Sequence, residues 1–124
     1  MTISRRDFLK KVKANKLGLS VIDATTAMQG QGPTISQGGR LVDMNLIIAS
    51  KNALAADMVA ANIMGFEPDE IDTFKWAWKA GMIPSSLNDI QIVGEKIEKV
   101  RKQFKRPRVI PYTMISDWYG PSCG

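Results

Sequence analysis

Ser50, Lys51 and Asn52 stand together where an apolar run, Met44–Ala49, gives way to an Ala-rich segment. A hydroxyl, an ammonium and an amide at such a junction suit an anion. A helix starting there would add free N–H groups and the positive end of its dipole. Asp23 lies in a second apolar run, Leu19-Ser20-Val21-Ile22-Asp23-Ala24, which is followed by Thr25, Thr26 and the stretch Gln29-Gly30-Gln31-Gly32-Pro33. Glycines at 30 and 32 let backbone approach a ligand closely. If the two apolar runs are parallel neighbouring strands, their C-terminal ends share one edge, where open α/β sheets place ligands. The expected ligand site is then Asp23, Gly30, Gly32, Ser50, Lys51 and Asn52. The plainer reading has Ser50 or Asn52 capping the helix and the glycines making turns.

Asp57 is the single carboxylate inside the Ala-rich segment, set among Ala55, Ala56, Met58 and Val59. An ionised carboxylate in apolar surroundings needs a partner, or its pKa rises. It reads as a structural anchor for the glycine loop, as a cation ligand, or as a tuned acid. The chain has one cysteine, Cys123, and no histidine. An internal disulfide and imidazole acid–base chemistry are therefore excluded, and a His/Cys zinc site is nearly so. Cys123 is a metal ligand only if another chain supplies the remaining thiolates of a shared iron–sulfur cluster, since such clusters take four. No cofactor is expected within this chain alone, and the residues leave open whether it is an enzyme.

These residues depend on elements to position them. Phe8, Leu9 and Val12 give residues 4–16 the spacing of a basic amphipathic helix, and Gly18 ends it. Residues 19–24 read as a short buried strand, and residues 25–41, with four glycines and Pro33, as a long loop. Met44–Ala49 reads as a second strand and residues 51–64 as a helix apolar almost all round, closed by Gly65. Pro68 followed by Asp69 and Glu70 starts another helix, stopped by Gly81. Ser85 or Ser86 caps a helical turn. Ile90–Val93 reads as a third strand and Glu95–Lys105 as a surface helix carrying Glu95–Lys99 and Glu98–Lys102 pairs.

Strands alternating with helices predict an α/β fold. The expectation is a small layered fold with a mainly parallel three- to four-stranded sheet flanked by helices. So few strands seldom make a parallel sheet buried on both faces. The chain therefore reads as part of a larger unit. Its division is a basic N-terminal helix over 1–17, an α/β domain over 18–106 and an irregular tail over 107–124. A homo-oligomer, or a partner chain supplying the missing half, would complete the sheet.

Net charge is +5, concentrated between residues 5–16 and 96–108. Solvated helix faces explain such clusters most simply. A nucleic-acid module would need aromatic residues interleaved with the basic ones on a strand surface, and the sequence lacks that pattern. No apolar run approaches the ~18–20 residues of a membrane helix. Ser4-Arg5-Arg6-Asp7-Phe8-Leu9-Lys10 matches the twin-arginine export pattern, but Lys11, Lys13 and Lys16 replace the apolar region that must follow. The reading is cytoplasmic.

Val21-Ile22-Asp23, Ala27–Pro33, the Ile47–Phe66 block and Ile92-Val93-Gly94-Glu95 together resemble the domain-of-unknown-function 362 family. The likeness spans about residues 18–106 and corresponds to the C-terminal half of that domain. It implies an iron–sulfur-associated neighbourhood, because many relatives carry cluster-binding cysteines, and some carry twin-arginine signals. The family usually has an acid where this chain has Gln29. The resemblance assigns no reaction. It leaves two expectations: binding of an anionic ligand or redox partner at the strand–helix edge, or a non-catalytic assembly subunit that completes a sheet with a partner chain.

Overall fold

The computed structural model describes residues 18–108. They fall into two compact units, residues 18–27 with 43–104, and residues 28–42 with 105–108. The expected helix at 4–16 and Cys123 lie outside the described residues.

The sheet corrects the expected fold class. Strand β1, Ser20–Gly30, and strand β2, Gly39–Ser50, form a two-stranded antiparallel sheet, accompanied by three helices. The reason is the length of the connection. Only residues 31–38 join the strands, whereas a parallel crossover needs about a dozen residues or more. Gly30 at φ +79° and Gly38 at φ +98° take left-handed conformations that let the chain reverse. The expected long loop at 25–41 is therefore mostly strand. Thr26 on β1 reaches Asp43 on β2, hydroxyl to carboxylate, at 3.3 Å. Along β2 the residues alternate: Met44, Leu46 and Ile48 turn inward, and Asp43, Asn45 and Ile47 outward. Asn45 has φ +52°, a left-handed geometry that asparagine tolerates better than branched residues do.

Helix α1, Ala53–Ile63, forms as its composition requires. Asn52 accepts the Ala55 N–H through its side chain at 3.2 Å, capping the first turn. At the other end Gly65, φ +84°, donates to Asn62 O, and Phe66 N–H reaches back to Ala61 O. That pair of bonds is a Schellman closure. Leu54, Ala55, Ala56, Met58, Val59, Ala61 and Ile63 are all buried, so the helix is packed on several sides.

Pro68–Glu70 makes a 3₁₀ turn rather than the first turn of a longer helix, and α2 then runs Asp72–Lys79. Phe74 joins Leu54, Met58 and Ala61 in the core, with Trp78 and Ile71 beside them. The Trp78 indole N–H donates to Pro84 O at 3.0 Å, which holds the 82–84 turn against α2. Ser86 caps a 3₁₀ turn at Leu87–Asp89 with a reciprocal capping box.

Two further expectations fail. Ile90–Val93 forms no strand, and helix α3 covers only Ile97–Val100. Residues 101–104 instead bond to the end of α1: Lys102 N–H to Ile63 O and Phe104 N–H to Met64 O. Orphan carbonyls at a helix C-terminus need donors, and these amides supply them at the expense of their own helix. Arg101 pairs with Glu67 at 2.9 Å and buried Phe104 seals the contact. The Glu95–Lys99 pair forms at 3.8 Å, but Lys102 donates to the Asp43 carbonyl rather than to Glu98.

Candidate functional site

The strand–helix junction is occupied by its own hydrogen bonds. Ser50 Oγ accepts the Asn52 N–H at 3.0 Å. The Asn52 side chain is used twice, accepting from Ala55 N–H and donating from Nδ2 to Ile83 O at 2.7 Å. Ser50 and Asn52 do line a cleft of about 440 Å³, shared with Ser85, Asp89 and Gln91. Asp89 turns its carboxylate to Ser86 N–H and the Ser85 hydroxyl. Ser50, Asn52, Ser85 and Asp89 thus each hydrogen-bond to other groups of the protein.

The antiparallel sheet removes the edge on which the expected residues were to meet. In a hairpin the C-terminal end of β1 adjoins the start of β2, so no edge gathers the C-terminal ends of both strands. Gly30 and Gly32 belong to the second unit, and Asp23, Ser50, Lys51 and Asn52 to the first. Asp23 is exposed. The Thr25 hydroxyl at 2.6 Å and the Thr25 N–H at 2.9 Å hold its carboxyl below the ordinary carboxylate value. Lys51 is exposed.

Asp57 lies on the open side of α1, exposed by area. The apolar helix surface around it still excludes enough water to raise its pKa. No hydrogen bond ties it to the glycine segment among the described residues, so burial of its surroundings is what perturbs it. Among the described residues no cluster of three or more acidic, Cys or His side chains could hold a metal ion.

Outside the expected site residues lies an exposed strand edge. A groove of about 170 Å³ is lined on one wall by every residue from Leu46 to Ser50, and on the other by every residue from Ile90 to Val93. A strand's face would present alternate residues; consecutive ones reach a groove only along an edge. β1 takes one edge of β2, and among the described residues no strand pairs with the edge along the groove. Ile47, 71% exposed, and Val93, 88% exposed, stand at its rim. The sequence signal was present in Leu46-Ile47-Ile48-Ala49, a run without the polar alternation of a strand facing water.

Residues 6–62 match the model of the family described as Domain of unknown function (DUF362). The match supports the DUF362 family. It takes in β1, β2 and most of α1, and therefore the hairpin that carries the open edge. The DUF362 likeness at Ile92–Glu95 lies outside the matched stretch. No curated protein and no solved structure matches the chain. No helix among the described residues is long and apolar enough to cross a membrane.

Proposed function

We propose that this chain is an assembly module whose β2 edge pairs antiparallel with the β2 edge of a second copy, joining two hairpins into a four-stranded sheet. The observation carrying this reading is the open groove along 46–50. A two-stranded ribbon is marginal in water, and further strands stabilise it. Charge complementarity selects the register. Pairing centred on Ile47 sets Ile47 against its own copy and brings Asp43 of each chain toward Lys51 of the other. The same arrangement is two-fold symmetric, the commonest closure for identical chains. Unpaired Ile90–Val93 would then cover the added strand with apolar side chains.

The test is the mass of the full chain in solution by sedimentation equilibrium. A species of twice the 13.7 kDa chain mass is expected, with amides 46–50 protected from hydrogen exchange. A monomer up to ~100 µM, well above the ~1 µM dissociation constants of ordinary specific association, defeats the reading. The charge-reversed variant Asp43→Lys should weaken the dimer, and adding Lys51→Asp should restore it.

A further inference from the structure

The outer face of the hairpin is apolar at one end and acidic at the other. Along β1, Val21, Asp23 and Thr25 are exposed and alternate with half-buried Ser20, Ile22 and Ala24. Leu19, just before the strand, is 63% exposed and Val21 57%. On β2, Ile47 and Asp43 turn outward too. Asp23 accepts from the Thr25 hydroxyl and N–H, and Asp43 from the Thr26 hydroxyl, all uncharged donors. Apolar side chains grouped on one face, with charge at their border, mark a surface for contact.

The stretch of chain before β1 suits that face in length, polarity and attachment. The described residues begin at Gly18, two residues ahead of β1, with φ +75°. A left-handed residue lets the chain reverse, and a Cβ at 18 would meet nothing within 4 Å, so conformation rather than crowding suits glycine there. In the sequence, Phe8, Leu9 and Val12 recur at helical spacing, with Arg5 and Arg6 ahead of them. A helix over 4–16 is about 20 Å long at ~1.5 Å per residue. Residues 19–25 span about 20 Å at ~3.4 Å per residue. Folded back at Gly18, such a helix brings Val12 level with Val21. Arg5 and Arg6 then come level with the end that carries Asp23 and Asp43. A helix this short is marginal in water by itself and needs a surface for its apolar stripe. Its covalent link to β1 makes docking intramolecular.

We propose that residues 4–16 dock as a helix on this face, Phe8, Leu9 and Val12 against Leu19, Val21 and Ile47, with Arg5 and Arg6 toward Asp23 and Asp43. The docking uses a face of the hairpin, whereas the assembly reading uses its edge, so each can fail without the other. Hydrogen exchange of the full chain, read by mass spectrometry, is the test. Amides 8–16 should exchange at least about tenfold more slowly than in an unstructured chain. Val21→Lys and Phe8→Ser should each remove about tenfold of that protection, the usual scale for one buried apolar side chain. Trp76→Gln, which alters a similarly exposed apolar side chain of α2, should leave it unchanged. Val21→Lys should keep the wild-type amide spectrum; if it misfolds, Phe8→Ser decides alone. Exchange of 8–16 at the unstructured rate overturns the proposal, as does protection that survives both variants or falls equally in Trp76→Gln. Protection seen at ~100 µM chain but not at ~1 µM, where ordinary specific association begins to dissociate, also overturns it and assigns the face to a second copy.

Discussion

Removing the Asn52 side chain separates a cap from a ligand contact. Asn52→Ala deletes the acceptor for Ala55 N–H at 3.2 Å and the donor to Ile83 O at 2.7 Å. Loss of an asparagine cap costs about 1 kcal/mol. The second bond contributes about 0.5–1 kcal/mol, because Ile83 is exposed and water can replace the lost donor. The sum is about 1.5–2 kcal/mol, which lowers a urea midpoint by about 1 M for a typical slope near 2 kcal/mol/M. Asn52→Asp keeps an acceptor at the helix N-terminus and loses only the Ile83 bond, so it should cost about half as much. Lys51→Ala, next door and exposed, should stay within about 0.5 kcal/mol. Urea unfolding followed by circular dichroism gives all three values. A wild-type midpoint for Asn52→Ala, or equal losses for the Asp and Ala variants, would refute the capping account and return Asn52 to the list of ligand residues.

Asn45 and Asp57 each carry a sharp expectation. At φ +52° Asn45 sits where a branched residue is strained, so Asn45→Val should destabilise by about 1–2 kcal/mol while Asn45→Gly is neutral or stabilising. Strand propensity alone predicts the opposite order, and thermal unfolding of the two variants decides. The raised pKa of Asp57 means the folded chain holds its proton where the unfolded chain has lost it. Stability from this group therefore falls as pH rises from the ordinary 3.8 through the raised folded value. Asp57→Asn should be the more stable protein above that window and match wild type below it; urea midpoints that differ equally at every pH would contradict the desolvation origin.

The sequence made α1 legible because its signals are local. Asn52 before an Ala-rich run, Gly65 after it and Pro68 beyond all act within a few residues of the backbone they control. Sheet polarity is not local in that sense. The glycines at 30 and 38 read as loop residues, yet they reverse the chain and extend both strands. Ile90–Val93 has a strand's composition, but composition cannot supply a partner backbone. Residues 101–104 lost their helix to the carbonyls of α1, a contact with residues 63 and 64 that no short window contains. The edge expected to gather the ligand residues rested on two parallel strands and goes with them; Ser50 and Asn52 hydrogen-bond around the start of α1 instead.

The register proposed for assembly sets position 47 against itself, so charge at that single residue tests it most directly. Ile47 is exposed in the single chain, so Ile47→Lys and Ile47→Glu should fold normally. Sedimentation equilibrium at low salt should find each variant monomeric when alone, since like charges then face each other across the strands. An equimolar mixture should form a heterodimer, because lysine would face glutamate. Wild-type dimerisation by either variant alone, or a mixture that stays monomeric while wild type dimerises, would contradict the pairing of β2 edges through Ile47.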